Sequence, residues 1–335
     1  MKFITAALGL GLSFIGTTTH AQQITGAGAT FPAPVYAKWG EAAKAAIGLE
    51  LNYQAIGSGG GQNQILNRTV DFGASDAPMD PAKLESGKLL QVPTVMGAVV
   101  AIVNLPGIAS NQVKLTGEQL TEIYAGTITK WNDPKLVALN KDVTLPNLTI
   151  APVYRADGSG TTFVFASYLS ARSAEWKTKV GAATSVKWPA GTGAKGNDGI
   201  SATVANIKGA IGYVEYAFAS QNKLTTIQLR NKDGQFVKPT IEAFSAAAAK
   251  GDWTGAMNFA VDLIDQPGPT SWPIVSATFI LLPKDPADKP RGANVLKFFT
   301  WAYDKGDAIA ANLEYIPLPA PVKDAVRKAW ASDIK

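Results

Sequence analysis

A predicted strand passes directly into a predicted helix at residues 153–163, which read VYRADGSGTTF. The mostly apolar residues 148–154 are typical of a buried strand, and residues 163–169 continue without Gly or Pro, as a helix does. The first turn of a helix leaves backbone N–H groups unpaired and carries the positive end of the helix dipole. Small residues at that point let an anion approach the backbone closely. The stretch therefore predicts an α/β fold with an anion site at the end of a strand.

The side chains of this stretch suit a tetrahedral oxyanion. Ser159 and Thr161 supply hydroxyl groups, and glycines such as Gly160 leave room for a ligand. Arg155 supplies paired N–H donors, and Asp157 is close enough in sequence to hold the guanidinium in place. An ordinary capped helix beside a surface salt bridge is the alternative, because Gly-rich turns before helices are common.

Two earlier strand-to-helix turns have the same character. The first ends in Thr30 and Phe31, where Thr30 is a suitable N-cap for the helix that follows. The second, residues 57–61, reads GSGGG, and we expect a helix to begin after these glycines. A short predicted strand within residues 70–78 ends on a turn that carries the carboxylate of Asp76. Because ligands of α/β sheets gather at the carboxyl ends of strands, we expect these groups to converge on one anion site. Independent helix caps are the alternative.

Strands and helices alternate through the rest of the chain. Residues 92–95 and 98–103 are two buried runs, and residues 276–282 form a strongly β-type run. Closing helices are predicted within residues 295–303 and 322–330. This alternation predicts the α/β class with a largely parallel sheet.

Residues 181–199 are rich in glycine and are predicted to form a long loop. Within them, residues 191–196 (GTGAKG) match the dinucleotide-binding fingerprint as a string. No clear strand precedes the match and the expected βαβ unit is missing from the pattern. We therefore interpret it as part of the loop.

The first residues are typical of a secretory signal peptide, because Lys2 precedes an apolar run over residues 3–15 and small residues end at Ala21. We expect cleavage after Ala21. The run is too short for a membrane anchor, which needs ~20 residues. His20 is the only histidine and the chain has no cysteine, which excludes a histidine-based triad, common zinc sites, disulfides and a lipidated thiol from the mature chain. The formal net charge of +5 includes no Lys/Arg run, so we expect no nucleic-acid partner.

Five segments form a specific combination. They are residues 26–34 (GAGATFPAP), 71–76 (DFGASD), 155–161 (RADGSGT), 195–200 (KGNDGI) and 209–214 (GAIGYV). This combination closely resembles the periplasmic phosphate-binding protein of the bacterial ABC phosphate importer. The likeness covers essentially the whole mature chain.

The resemblance implies a two-lobe, type II-like Venus-flytrap fold, with a mixed, largely parallel sheet in each lobe and the ligand between the lobes. It implies that residues 1–21 are the signal peptide. The first lobe is then formed by residues 22–98 and 274–335, and the second by residues 99–273. The chain would cross between the lobes twice, at a two-stranded hinge.

The resemblance also implies which residues hold phosphate, Phe31 through its backbone and most of the others through side chains. The implied set is Thr30, Phe31, Ser58, Asp76, Arg155, Ser159, Gly160 and Thr161. Asp157 is implied to orient the arginine.

We therefore predict a non-enzymatic phosphate receptor without cofactor or metal. It would act as a soluble periplasmic monomer that delivers phosphate to the membrane permease of an ABC importer. A receptor for another tetrahedral oxyanion, such as sulfate, and a secreted phosphatase are the alternatives. A carboxylate inside an anion site favours a ligand that carries a proton, as phosphate does and sulfate does not, so Asp76 is predicted to reject sulfate. The lack of histidine disfavours the phosphatase.

Overall fold

The computed structural model describes residues 22–253 and 255–335. The predicted signal peptide, residues 1–21, lies outside the described residues. Within those two ranges, no helix combines the length and the apolarity needed to cross a membrane.

Strands and helices alternate along the described chain, as the sequence predicts. The strands are β1 (Gln22–Gly28), β2 (Leu49–Ala55), β3 (Phe72–Ser75), β4 (Leu89–Val103), β5 (Lys114–Leu115), β6 (Ala151–Arg155), β7 (Thr192–Ala194), β8 (Ala210–Glu215), β9 (Thr225–Thr226), β10 (Gln228–Arg230), β11 (Phe236–Val237) and β12 (Val275–Pro283). The helices are α1 (Ala33–Ile47), α2 (Ser58–Leu66), α3 (Pro81–Ser86), α4 (Gly117–Tyr124), α5 (Pro134–Leu139), α6 (Gly160–Arg172), α7 (Ala174–Lys179), α8 (Gly196–Asn206), α9 (Tyr216–Gln221), α10 (Ile241–Ala248), α11 (Lys289–Lys305), α12 (Asp307–Asn312) and α13 (Ala320–Asp333), with a 3₁₀ turn at Met257–Phe259.

One mixed sheet organises the molecule. Its order is β2-β1-β3-β12-β4-β8-β6-β7, and β9 also pairs with β4. Strand β1 is parallel to β2 and β3, and β6 is parallel to β7 and β8, whereas β4 and β12 run antiparallel to their neighbours. A smaller sheet has the order β11-β10-β5.

Strand β4 joins the two halves of the large sheet. Its residues 89–98 pair with β12, and its residues 99–103 pair with β8. Every residue of β4 is buried, because helices cover both halves. Helices α1 and α2 pack on the β1–β2–β3 half, and α6 and α8 pack on the β6–β8 half. We call these the first and second halves of the sheet.

The two buried runs predicted at residues 92–95 and 98–103 are indeed buried, and they form a single strand. Both belong to β4, which passes through Gly97 without a break. A Cβ on Gly97 would lie 2.8 Å from the ring of Phe31. Gly97 therefore makes room for a neighbouring side chain inside the strand.

The interpretation of residues 181–199 as one long loop was wrong. Residues 192–194 form β7, which pairs in parallel with β6, and α8 begins at Gly196. Gly191 has a φ of 107°, and a Cβ there would lie 2.4 Å from the carbonyl oxygen of Pro152. The glycine therefore allows the chain to join the sheet edge instead of marking a loop.

Two helices also begin earlier than predicted. Helix α2 begins at Ser58, so the glycines lie inside its first turns, and α6 begins at Gly160. A Cβ on Gly61 would lie 2.4 Å from the Cα of Gly28 and 2.7 Å from the carbonyl oxygen of Ala74. Gly61 is therefore a packing residue that lets α2 lie directly on the backbone at the ends of β1 and β3.

Substituting Gly61 tests this close approach. Gly61→Ala should lower the free energy of unfolding by ~1–3 kcal/mol, because the added methyl meets backbone atoms that cannot rotate away. Gly60→Ala is the matched control in the same helix, since its Cβ would meet only the flexible end of Ile56 and alanine favours a helix. Urea unfolding of both variants measures the difference. Equal stability of the two variants would contradict the packing role of Gly61.

Candidate functional site

Buried polar side chains from both halves of the sheet meet at the ends of its strands. Thr30 follows β1, Ser58 begins α2, Asp76 follows β3, Arg155 ends β6, and Ser159 precedes α6. All eight predicted binding residues are buried. The parallel strands bring these turns to one edge, as the sequence analysis expected.

Ser58 connects the two halves directly. Its Oγ accepts hydrogen bonds from the N–H of Gly160 (3.0 Å) and the N–H of Asp76 (3.2 Å). A hydroxyl has two acceptor positions and one proton, so both acceptor positions are filled and the proton remains to be donated. A Cβ on Gly160 would lie 2.5 Å from Ser58 Oγ and 2.6 Å from Asp76 Oδ2. This approach is possible only because residue 160 is glycine.

The guanidinium of Arg155 is held in a fixed plane. Its Nε and Nη2 donate to the two carboxylate oxygens of Asp157, at 2.7 and 2.5 Å, and its Nη1 donates to Thr161 Oγ1 at 3.3 Å. The arginine side chain is only 1% exposed. A guanidinium has five N–H donors, so this arrangement uses three and leaves two for another acceptor.

Asp157 is fixed by more than the arginine. Its Oδ1 also accepts the N–H of Gly196 at the start of α8 (3.1 Å). Burial tends to raise the pKa of Asp157, but the hydrogen bonds and charge of Arg155, with the Gly196 N–H, lower it below its usual value. Asp157 is therefore ionised at neutral pH and supports the charge of the arginine.

Asp76 has one engaged and one unengaged carboxylate oxygen. Thr278, in the centre of β12, donates its hydroxyl to Oδ1 at 2.7 Å. Oδ2 is buried and has no hydrogen-bond partner among the described residues. Buried polar atoms are nearly always paired, so this oxygen marks the point where a proton donor is missing. It lies beside Gly160 at the start of α6.

Burial also changes the acidity of this carboxyl group. It raises the pKa of Asp76 from 3.8 to about 7, against the opposing effects of the Thr278 hydrogen bond and the positive charge of Arg155. The group can therefore accept or share a proton near neutral pH. The Thr278 hydrogen bond and the Arg155 charge lower the pKa of Asp76 by less than the loss of water raises it.

The structure corrects the role predicted for Thr30 as the N-cap of the next helix. Helix α1 begins at Ala33, and Pro32 stands in the cap position without a side-chain bond. Thr30 Oγ1 instead accepts from Nδ2 (2.8 Å) and the backbone N (3.3 Å) of Asn197, in the first turn of α8. Proline has no backbone N–H, so the start of α1 has one fewer donor to cap. Thr30 instead accepts hydrogen bonds from a helix of the other half of the sheet.

The backbone of Phe31 is anchored by Tyr315, which donates its hydroxyl to the Phe31 carbonyl at 2.6 Å. The same hydroxyl lies 2.9 Å from Oε2 of Glu215, and Glu215 Oε1 has no partner in the described part of the chain. Burial raises the pKa of Glu215 well above its ordinary value, and Asp76 adds a repulsive contribution. Burial therefore disfavours the charged form of Glu215, which supports the Thr30–Phe31 turn through Tyr315.

The start of α6 completes the cluster. Ser159 is the N-cap of this helix, and its Oγ accepts the N–H of Thr162 at 3.0 Å. Thr162 Oγ1 and Tyr213 Oη are 2.6 Å apart, and Tyr213 also accepts the N–H of Arg155 at 3.1 Å. The arginine is thus supported from its backbone as well as from its side chain.

Six supporting residues lie outside the set predicted from the sequence: Thr162, Asn197, Tyr213, Glu215, Thr278 and Tyr315. Asn197 lies within the resembling segment 195–200, and Thr278 is a hydroxyl residue in the mostly apolar run 276–282. Those two could have been noticed as buried polar positions. Glu215 and Tyr315 carry no local signal, because their partners are distant in sequence.

The cluster combines a guanidinium with two spare donors, oriented hydroxyl groups, a helix N-terminus and one unpaired carboxylate oxygen. Such a set suits a small oxyanion that both accepts and donates hydrogen bonds. In residues 22–253 and 255–335, no group of three or more His, Cys, Asp or Glu side chains is placed to hold a metal ion.

Comparison with known proteins identifies the family. A model of the PBP superfamily domain matches residues 16–305. The phosphate-binding protein PstS of Pasteurella multocida is 50% identical over 329 residues, covering 98% of this chain and 95% of that protein. PstS of Haemophilus influenzae is 49% identical over 323 residues, covering 96% and 97%.

This chain belongs to the PstS family of phosphate-binding proteins, within the PBP superfamily.

The fold agrees with that membership. The solved structure of a high-affinity periplasmic phosphate-binding protein, PfluDING, bound with phosphate, has a TM-score of 0.72 and 24% identity, covering 92% of this chain and 94% of that one. The predicted two-lobe α/β fold of periplasmic binding proteins is confirmed. PstS names describe binding and not catalysis, in agreement with the prediction of a non-enzymatic protein.

Asp76 should make the stability of the unliganded protein depend on pH. Its folded-state pKa is raised from 3.8 to about 7, so the folded state binds the proton more tightly and loses stability as the pH rises from about 4 to 7. Each pKa unit corresponds to about 1.4 kcal/mol, so the total is on the order of 4 kcal/mol. Asp76→Asn should remove this loss.

Urea unfolding in phosphate-free buffer from pH 4 to 8 measures the difference between wild type and Asp76→Asn. The variant should gain on the wild type as the pH rises, and exposed Asp142→Asn controls for the amide substitution. If the difference in unfolding free energy stays constant across this range, the buried charge of Asp76 does not cause the pH dependence.

Proposed function

We propose that this chain binds inorganic phosphate between its two lobes and delivers it to the membrane subunits of an ABC importer. The main observation in support is the unpaired Oδ2 of Asp76, which lies buried beside the start of α6 and needs a proton donor. Phosphate always carries at least one O–H near neutral pH. The membership of the PstS family supports the same ligand.

The proposed ligand contacts are the eight residues from the sequence analysis. Arg155 would use its two spare N–H donors, Ser58 and Thr30 their hydroxyl protons, and Asp76 would accept the phosphate proton. The remaining proposed contacts are the Phe31 backbone, Ser159, Gly160 and Thr161. Asp157 would hold the arginine without touching the ligand. The mutual contacts among these residues support one shared site.

We further propose that the lobes comprise residues 22–98 with 274–335, and residues 99–273. The change of partner along β4, from β12 to β8 at residues 98 and 99, supports the first boundary. Ligand contacts on both lobes would favour closure around phosphate. Export to the periplasm through cleavage after Ala21, and action as a monomer, complete the proposal.

Calorimetric titration of the phosphate-depleted protein with phosphate, arsenate and sulfate tests the proposal. Phosphate and arsenate should bind, because both carry a proton for Asp76, and sulfate should be rejected by roughly 10⁴–10⁵-fold. Sulfate binding as tight as phosphate would assign the site to another class of oxyanion. No heat with any of the three would remove the proposed function.

Asp76→Asn should lower the discrimination against sulfate at pH 8 by at least ~100-fold, because the unpaired buried charge is lost. For wild type, sulfate should compete better as the pH falls from 9 to 6, since protonation of Asp76 near pH 7 turns an acceptor into a donor. The inhibition constant of sulfate against labelled phosphate measures both effects. A pH-independent constant for wild type, or unchanged rejection by the variant, would contradict this role.

Arg155→Lys should weaken phosphate binding by ~2–5 kcal/mol although it keeps the charge. A lysine has no planar fork, so it cannot hold both oxygens of Asp157 and also present paired donors to the ligand. Arg172→Lys is the matched control, since Arg172 forms ion pairs with Glu118 and Asp265 outside the proposed site. Equal phosphate affinity of the two variants would contradict the role of Arg155.

A further inference from the structure

Asn197 contacts one of the proposed ligand-binding residues without being one itself. Two of its N–H groups, one on Nδ2 and the backbone N–H, donate to Thr30 Oγ1, at 2.8 and 3.3 Å. Asn197 is completely buried and Thr30 is only 4% exposed. The protein, and not solvent, therefore sets the direction of the Thr30 hydroxyl.

The two bonds determine how Thr30 can act. A hydroxyl oxygen has two acceptor positions and carries one proton. Asn197 fills both acceptor positions, so Thr30 can only donate to its next partner. Ser58 is prepared in the same way, because its Oγ accepts two backbone N–H groups. Both hydroxyls thus match a ligand that accepts hydrogen bonds.

The orientation of the Asn197 amide is itself fixed. Its Oδ1 accepts the N–H of Glu215 at 3.2 Å, which turns Nδ2 toward Thr30. Its backbone N–H belongs to the first turn of α8, where no intrahelical acceptor exists. Asn197 therefore pairs a free N–H of the helix start, the N–H of Glu215 at the end of β8 and both acceptor positions of the Thr30 hydroxyl.

The contact also joins the two halves of the sheet. Thr30 follows β1 in the first half, and Asn197 lies on α8, which packs on β6 and β8 in the second half. Opening of the proposed cleft would separate the two residues. The Thr30 hydroxyl would then be free to rotate, and would be oriented as a donor again only on closure.

We propose that Asn197 is a positioning residue that makes Thr30 a dedicated hydrogen-bond donor to the bound anion when the lobes close. This inference rests on the proposed function, since it concerns the same phosphate site. It predicts that the effect of Asn197 on phosphate affinity passes through the Thr30 hydroxyl. A residue that only supports the fold would act regardless of that hydroxyl.

A double-mutant cycle separates these two roles. Asn197→Ala should weaken phosphate binding about 10-fold in the wild-type background. Thr30→Val keeps the shape of the side chain but removes the hydroxyl, and in that background Asn197→Ala should change the affinity by less than twofold. An equal loss in both backgrounds would overturn the proposal.

Asn206→Ala is the matched control, because Asn206 lies on the same helix and its Nδ2 bonds only to the Ala202 carbonyl of α8 among the described contacts. It should leave phosphate affinity unchanged. Urea unfolding of each variant establishes that the binding measurements compare folded proteins.

Asn197→Asp keeps the size of the residue and provides a second test that does not depend on Thr30→Val folding. Its carboxylate would accept the Thr30 proton and turn the hydroxyl away from the ligand, so phosphate binding should be weaker than in Asn197→Ala. Affinity equal to wild type would overturn the proposal. If wild type itself fails to bind phosphate, the proposed function fails, whereas binding with an additive cycle rejects only the role of Asn197.

Discussion

The arrangement of the site depends on the burial of the half-paired carboxylate of Asp76. Removing a carboxylate from water is costly unless it is paired, and here only Oδ1 has a partner among the described residues. Burial raises the pKa of Asp76 to about 7 even with Arg155 nearby. The fold therefore maintains a group that is poorly satisfied by the protein alone, which is typical of a site built for a partner.

Hydrogen bonds within the protein fix which of the surrounding groups can still donate and which can still accept. Asp157 takes three of the donors around it, including Nε and Nη2 of Arg155. The oxygens of Ser58 and Thr30 are filled by N–H groups, which leaves only their protons. In this arrangement an oxyanion would meet donors that are already oriented, and an acceptor at Asp76. Under the proposed function, selectivity would arise from this single acceptor in a set of donors.

The turn that holds Thr30 and Phe31 depends on contacts from far along the chain. Asn197 binds Thr30, Tyr315 binds the Phe31 carbonyl, and Glu215 touches both of these partners. Glu215 is the last residue of β8 and pairs with Val99 of β4, where the sheet changes from its first half to its second. Glu215 thus links the point where β4 passes from the first half to the second with the turn that holds Thr30 and Phe31.

The class of the fold and the local parts of the site could be read from the amino-acid sequence. Strand-to-helix turns can be recognised because strand, small residues and helix follow one another within about ten positions, as around Ser159 and Gly160. Arg155 and Asp157 are two residues apart, so their pairing was also a local inference. The combined motifs pointed to a phosphate-binding family, and membership of that family is confirmed.

The contacts that support those parts became visible in the folded chain. Thr30 looked like the cap of its own helix, but Pro32 stands in that position, and Asn197 of α8 in the other half donates to the threonine oxygen. Residues 181–199 were predicted to be a loop, because no local pattern indicates a strand there. Residues 192–194 become the strand β7 through pairing with β6. Thr278, Glu215 and Tyr315 act on partners 100 or more positions away. Hydrogen bonds between distant residues leave no periodic pattern in the sequence, so their partners become visible only when the sheet brings them together.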